Sequence, residues 1–115
     1  MPLHEWDRIE REQLNPLMAR QVIHTEYLTV ARLFLSKSAV VPEHSHANEQ
    51  FTVLQAGKLR FVAGGVEHLL EPGKMMQVPP HAPHWVEALE DCIALDIFTP
   101  RREDWIRGDD AYLRT

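Results

Sequence analysis

The sequence predicts an all-β protein, a small barrel or sandwich that ends in a short helical tail. The chain contains many short runs of branched and aromatic residues, which are typical of strands. Glycine and proline turns separate these runs, and no helical spacing of apolar residues is visible before the tail. Short strands punctuated by turns indicate sheets that pack together or close on themselves.

Each predicted strand follows from one such run. The N-terminal residues 1–12 mix Trp6 and Ile9 with alternating charges, and are compatible with either a short strand or a helical turn. After them, the predicted strands cover residues 17–24, 27–35, 40–46, 50–55, 59–63, 66–70, 75–78, 84–89 and 92–98.

Turn chemistry supports the boundaries. Gly64 and Gly65, placed between two strand-like runs, are a strong signal for a two-residue hairpin. In the next turn, Pro72 fixes φ near the value that a turn needs and Gly73 permits positive φ. The polar tail contains a predicted helix over residues 103–107, which Gly108 would end.

Composition limits the classes of protein. A chain of 115 residues with 44% apolar content is expected to form one domain with its own core, over residues 1–115. One cysteine and the lack of a charged, apolar leader favour a reducing cytoplasm. No apolar run is long enough for a membrane span, and a net charge of −5 with interspersed charges argues against nucleic-acid binding.

Four side chains indicate a divalent metal site. His44 and His46 alternate along a predicted strand, and residues two apart point to the same face. Gln50 keeps that parity if the strand continues without interruption, whereas Glu49 would face inward only through a bulge. His84 lies beyond two glycine-containing turns and would complete the set. Imidazole and oxygen donors suit zinc, nickel, manganese or iron.

The spacing of these residues resembles the two motifs of the cupin superfamily, G-x5-H-x-H-x(3,4)-E-x6-G and G-x5-P-x-G-x2-H. The match covers residues 38–57 and 73–84, so the metal-binding core would span about residues 38–98. Ser38 and His81 replace motif glycines, and Gln50 replaces the usual glutamate. The resemblance implies a jelly-roll barrel, the double-stranded β-helix of cupins. A neutral amide ligand would leave the metal its full charge and attract anionic substrates.

The segments at residues 80–90 and 96–105 resemble the KdgF-type pectin-degradation cupins, which share a D-x-F-[ST]-P-x-R-E-D-[FW] ending. This resemblance implies that Asp96, Phe98 and Arg102 line the substrate pocket, with Asp96 and Arg102 as catalytic residues and Arg102 anchoring a sugar carboxylate. His81 is a further candidate for substrate binding, although its loop position fits an exposed histidine equally well.

Alternation within residues 92–98 also places Asp96 on one face of a strand that is otherwise apolar. A carboxylate in that position is costly unless it is paired or faces a wet cavity. We therefore expect either a general acid/base, whose pKa burial would adjust, or an ion pair with a nearby arginine.

By this resemblance, the leading hypothesis is a metal-dependent, isomerase-type enzyme that converts a 4,5-unsaturated uronate to its linear keto form. A metal-dependent iron dioxygenase and a non-catalytic sugar-binding cupin are the alternatives. The expected partners are a small anionic sugar acid and a second copy of the chain. Small barrels of this kind have open sheet edges that a homodimer can cover, with the segment around Trp6 as a contributor.

Overall fold

The computed structural model describes the whole chain, from Met1 to Thr115, and shows two antiparallel sheets that enclose one apolar core. The strands are, in chain order, β1 (Glu12–Asn15), β2 (Met18–His24), β3 (Thr29–Leu35), β4 (Val40–His44), β5 (Glu49–Ala56), β6 (Leu59–Ala63), β7 (Val66–Leu70), β8 (Met75–Val78), β9 (His84–Ala88) and β10 (Cys92–Thr99). The helix α1 (Glu103–Ile106) follows, and short 3-10 turns cover Trp6–Arg8 and Ala111–Leu113. The all-β prediction is confirmed.

The strand order explains how the site is assembled. One sheet has the order β1-β2-β3-β10-β5-β8, and the other has the order β4-β9-β6-β7. Strands β4 and β5 are consecutive in the chain but belong to different sheets. The chain therefore crosses from one wall of the barrel to the other between His44 and Glu49.

This crossing removes the condition on which the parity of Gln50 depended. An uninterrupted strand through His44, His46 and Gln50 would point all three side chains inward, but β4 ends at His44, two residues before the predicted end, and β5 begins at Glu49. The connection is held by Asn48, whose side-chain amide donates hydrogen bonds to the carbonyl oxygens of Pro100 and Arg101. Local periodicity cannot detect such a break, because the position of the break depends on which distant strands pair.

Strand β10 lies between β3 and β5 and presents alternating faces, as predicted. Its inward side chains are buried, whereas Ile93, Leu95 and Ile97 point outward and are at least partly exposed. Asp96 is paired across the sheet with Thr52 of β5 and with Ala31 of β3. This register places the carboxyl group inside the barrel.

The interior is apolar at one end. Leu54 and Leu59 are almost fully buried there with Ala88 and Cys92. Burial of a leucine side chain contributes about 1.5–3 kcal/mol, so this end supplies much of the driving force for folding. Gly57 turns the chain beside it, and a Cβ on Gly57 would lie 2.2 Å from the carbonyl oxygen of Asp91. Only glycine fits that approach.

Two non-glycine residues adopt the left-handed conformation that the cupin motifs assign to glycine. Ser38 has φ 81° and His81 has φ 67°. The backbone N–H of Ser38 donates to the carbonyl oxygen of Ala88 (2.8 Å), and that of His81 donates to the carbonyl oxygen of His46 (2.7 Å). The turn geometry is therefore retained despite the substitutions, at a conformational cost that these contacts offset.

The C-terminal segment folds back over the polar end of the barrel. The helix is one residue shorter than predicted, and Gly108 follows it with positive φ. Beyond it, Asp110 forms a buried ion pair with Arg20 (2.5 Å) and Leu113 joins the core. Strand β1 and the turn at Ala111–Leu113 were not predicted, because both depend on contacts with distant parts of the chain. None of the helices has the length and apolar character that crossing a membrane requires.

Candidate metal centre

Three histidines converge at the polar end of the barrel. His44 ends β4, His46 lies in the crossing loop and His84 begins β9, where it is paired with His44. One nitrogen from each ring lies within 4.8 Å of the other two. The predicted histidine cluster is therefore formed, although its members come from three different parts of the fold.

Backbone carbonyl groups orient all three rings. The Nδ1 atoms of His44, His46 and His84 lie 2.8, 3.0 and 2.8 Å from the carbonyl oxygens of Pro42, Asn48 and Ala82. A carbonyl oxygen only accepts, so each Nδ1 carries the proton. The Nε2 atoms are then left with free lone pairs, which is the arrangement found in histidine ligands of metals.

The histidines are neutral at physiological pH. Burial lowers the pKa of His44 and of His46 to about 4, and it also lowers the pKa of His84. Arg102 adds to this effect on all three rings, because a positive charge nearby disfavours the imidazolium form. Metal ligation needs neutral imidazole, so the rings are ready to bind.

Gln50 contributes an oriented amide oxygen. Its Oε1 lies 2.9 Å from Nε2 of His46, while its Nε2 donates to Oγ1 of Thr52 (2.9 Å). Gln50 is buried, whereas Glu49 is half-buried and its carboxylate accepts a hydrogen bond from Gln77 near the surface (3.4 Å). The bulge alternative, in which Glu49 would replace Gln50, is not observed.

The donor set fits a divalent cation. Nε2 of His84 is buried and has no hydrogen-bond partner in the protein. With the proton on Nδ1, Nε2 of His46 and Oε1 of Gln50 are two acceptors facing each other, and a cation between them relieves their repulsion. Three neutral imidazoles and an amide oxygen are suitable ligands for zinc, nickel, manganese or iron.

Asp96 lies in the same cavity and is buried. Its Oδ1 accepts a hydrogen bond from Oγ1 of Thr52 (2.6 Å), so Thr52 links Gln50 to Asp96. Burial raises the pKa of Asp96 to about 6, and the Thr52 hydrogen bond and the charge of Arg102 oppose this effect. A carboxyl group with such a pKa can exchange a proton near neutral pH, as a general acid/base must.

Arg102 does not form the ion pair with Asp96 that we considered as an alternative. Its Nε and Nη2 instead donate to the two carboxylate oxygens of Asp104, at 2.9 and 2.8 Å. The side chain is 1% exposed, and its guanidinium stacks on Phe98 (4.7 Å) and Trp105 (4.4 Å). Arg102 is thus held rigidly inside the protein, with Nη1 outside both of these bonds.

One cavity of about 40 Å³ brings these groups together. A buried water needs about 10–15 Å³ by this measure, so the space holds a metal and a few waters before any adjustment. Its wall includes three of the four candidate metal ligands and the aromatic side chains beside Arg102, whereas His46 is not among the lining residues. The polar and aromatic lining residues are His44, Gln50, Thr52, Phe61, His84, Asp96, Phe98, Arg102, Trp105 and Tyr112.

The structure separates His81 from this group. Its side chain is exposed and does not line the cavity, although its backbone holds the loop of His46 in place. Tyr112, in contrast, was missed by the sequence analysis and lies against the ring of His44, with the two ring centroids 4.7 Å apart. No local pattern in the polar tail indicates that this tyrosine returns to the site.

The comparisons with known proteins agree with the fold. The sequence model of the Cupin_2 family, described as a cupin domain, matches residues 32–98. No curated protein matches the chain in sequence.

Among solved structures, KdgF from Halomonas sp. has a TM-score of 0.79 and 28% identity, over 84% of this chain and 90% of that one. An RmlC-like cupin from Shewanella frigidimarina has a TM-score of 0.84 and 26% identity, over 89% of this chain and 93% of that one. Oxalate decarboxylase from Bacillus subtilis has a TM-score of 0.74 at 16% identity, over 84% of this chain and 28% of that one, and shares the fold alone. With the family match covering more than half of its length, this chain belongs to the cupin family.

Proposed function

We propose that this protein is a metal-dependent enzyme that converts a 4,5-unsaturated monouronate to its linear keto form. The observation that carries the proposal is the convergence of three kinds of group on one cavity. These are the histidine cluster, the protonatable carboxyl group of Asp96 and the buried guanidinium of Arg102. The similarity to KdgF supports the same reaction class.

The conversion is an isomerisation and needs no redox partner. The anomeric hydroxyl of the sugar loses a proton, the bond between the anomeric carbon and the ring oxygen breaks, and the ring oxygen gains a proton, which leaves an aldehyde and an enol. The enol becomes a ketone when it loses its hydroxyl proton and a proton is added to the neighbouring carbon. Protons lost and gained balance, so one group that alternates between acid and base can serve both steps.

Asp96 is the group that we assign to this proton transfer. With a pKa of about 6 it is present in both protonation states near neutral pH. Thr52 holds Oδ1, which leaves Oδ2 outside that hydrogen bond. A bound divalent metal, held by His44, His46, Gln50 and His84, would polarise substrate oxygens and stabilise the negative charge that develops on them.

Arg102 provides positive charge for the sugar carboxylate. Its pairing with Asp104 reduces the net charge but leaves Nη1 for a ligand. Phe98 packs against both the guanidinium and the ring of His46, and so fixes the distance between the anchor and the metal site. His81 is retained as a proposed contact only for substrates that extend out of the cavity.

The test is a turnover assay with metal-analysed protein and unsaturated galacturonate. Loss of the conjugated absorbance should be faster than the spontaneous reaction and should depend on bound metal, with no oxygen consumed. The His46→Ala variant is the matched control. A rate equal to the spontaneous one would contradict the proposal, and oxygen uptake with ferrous iron would identify a dioxygenase instead. Uronate binding without turnover would identify a sugar-binding cupin.

We also propose a homodimer in the cytoplasm. The outer edges of both sheets, at β1, β8, β4 and β7, have no strand partner within the chain. Unpaired edges favour association through pairing or cover by a second copy. The N-terminal turn is bound to β2, next to the edge strand β1, since Gln21 of β2 donates hydrogen bonds to the carbonyl oxygens of Trp6 and Ile9. Light scattering at micromolar concentration should give twice the chain mass, and a monomer would contradict this expectation.

A further inference from the structure

We propose that Tyr112 is a substrate-binding residue, whose hydroxyl donates a hydrogen bond to a ligand carboxylate held beside Arg102. The inference deepens the proposed function, since it concerns the site that would bind the uronate carboxylate. We call this site, formed by Arg102 and Tyr112, the carboxylate seat. It assigns a role to the C-terminal segment, which the sequence left without one.

The position of Tyr112 is the first support. Its ring lies against His44, and its side chain lines the cavity that also contains Asp96 and Arg102. The tyrosine is carried by the turn at Ala111–Leu113, which packs against β4. Tyr112 therefore contacts both a candidate metal ligand and the proposed carboxylate anchor.

The hydrogen bonds of the phenol are the second support. Its oxygen accepts from Nη2 of Arg102 (2.9 Å) and from Nε1 of Trp105 (3.2 Å). Arginine and tryptophan can only donate, so both bonds use lone pairs of the phenol oxygen. The phenol hydrogen forms no hydrogen bond within the protein. It is therefore a donor without an acceptor at the wall of the cavity.

The pairing of Arg102 explains why a second donor is needed. Asp104 occupies the edge of the guanidinium formed by Nε and Nη2. A carboxylate has two oxygens, and the free Nη1 of Arg102 can bind one of them. The hydroxyl of Tyr112, bonded to Nη2 of the same guanidinium, is adjacent and can bind the other. The two groups together form a two-pronged seat for a carboxylate.

The segment that carries Tyr112 is anchored, so the donor is pre-organised. Asp110 pairs with Arg20 inside the protein and with Arg114 (3.0 Å). Asn15 donates to the carbonyl oxygen of Leu113 (3.0 Å), which ties the turn to β1. A ligand does not have to order this segment on binding, which preserves affinity.

The decisive variant is Tyr112→Phe, which keeps the ring on His44 and removes only the hydroxyl. Titration calorimetry with galacturonate and with acetate, on metal-loaded protein, should show affinity for both falling about 10- to 100-fold, the size expected for a hydrogen bond to a charged group. In turnover of the unsaturated uronate, KM should rise more than kcat falls. Tyr27→Phe is the matched control, because Tyr27 is 72% exposed and outside the cavity. It should change nothing.

A second measurement avoids any substitution. The chain has two tyrosines, so wild-type protein labelled with ¹³C at tyrosine Cζ gives two resonances. Adding galacturonate should shift the signal of Tyr112 and leave that of Tyr27 in place. An unshifted Tyr112 signal at saturating galacturonate would overturn the proposal, even if the Tyr112→Phe variant folds poorly.

These outcomes separate the inference from the proposed function. Weakened carboxylate binding by Tyr112→Phe, in a protein that does not convert the uronate, would support the seat and refute the reaction. Turnover with the same KM in wild type and Tyr112→Phe would support the reaction and refute the seat. Wild-type protein that neither binds a carboxylate nor converts the uronate would refute both.

Discussion

The two ends of the barrel interior are built by the same strands but serve different purposes. Strand β10 places Cys92 and Ala94 at one end and Asp96 and Phe98 at the other. Strand β5 repeats the change, with Leu54 at the apolar end and the hydrogen-bonded Gln50 and Thr52 at the other. The apolar end gains free energy by removing hydrocarbon from water. The polar end instead buries groups that prefer to be solvated.

This difference shows that groups which lower the folding stability are concentrated at the polar end. The polar end contains desolvated histidines, a carboxyl group with a raised pKa and, at His81, a side chain on a left-handed backbone. Hydrogen bonds offset part of these costs, and a bound metal would offset more. Sites of this kind are held in place by a scaffold that is stabilised elsewhere. Substitutions at the two ends should therefore change different properties.

The largest effect is expected at the polar end from His46→Ala, which removes a proposed metal ligand. Bound metal, measured by elemental analysis after dialysis, should fall to background, while the metal-free fold is retained. His68→Ala is the control, since His68 is an exposed histidine on β7. Full metal retention by the His46 variant would show that the histidine cluster does not hold the ion.

At the apolar end, Leu54→Ala should lower the free energy of unfolding by about 2–5 kcal/mol, the range for a leucine truncated in a packed core. Leu54 is 1% exposed and contacts the core rather than the ligands. Urea unfolding measures the change, and the folded variant should still bind metal. Leu69→Ala, on an exposed side chain of β7, should cost far less. Equal losses in the two variants would contradict the assignment of the core.

Asp96→Asn tests whether the polar end serves chemistry or scaffolding. The expected loss of uronate turnover is on the order of 100-fold, because the proposed proton-transfer group is removed. Metal content should be retained, and stability should not fall, since the neutral amide avoids the cost of burying a charge. Asp109→Asn, at an exposed aspartate, is the control. Normal turnover with a lowered melting temperature would instead make Asp96 a structural residue.

The smallest expected effect is the change in folding stability with pH. His44 and His46 have a pKa of about 4 in the fold and 6.5 in the unfolded chain, so the unfolded chain binds more protons between pH 4 and 6.5. Stability therefore rises with pH in that window. Asp96, with its pKa raised from 3.8 to about 6, has the opposite effect on stability, but it binds one proton whereas the two histidines together bind two. With His84 adding to the histidines, the metal-free protein should resist urea better at pH 7 than at pH 4.5. Equal or lower resistance at pH 7 would contradict the assigned burial of the cluster.

Much of this protein is determined locally by its sequence. The hairpin of β6 and β7 matches its predicted bounds, because Gly64 and Gly65 supply the turn that joins two strand-forming runs. The inward face of β10, and with it the burial of Asp96, follows from the alternation of side chains along a strand. The histidine spacing, together with the resemblance to the two cupin motifs, predicted which rings meet.

Only the tertiary structure decided how those local elements complete the site. The break between His44 and Gln50 results from strands of different sheets pairing with distant partners. The pairing of Arg102 with Asp104, and the return of Tyr112 onto His44, require the tail to dock on the barrel through Asp110 and Leu113. Periodicity and turn chemistry act over a few residues, whereas docking depends on complementary surfaces that are far apart in the chain. The histidine cluster could therefore be predicted from the sequence, whereas the contacts of Arg102 and Tyr112 beside it could not.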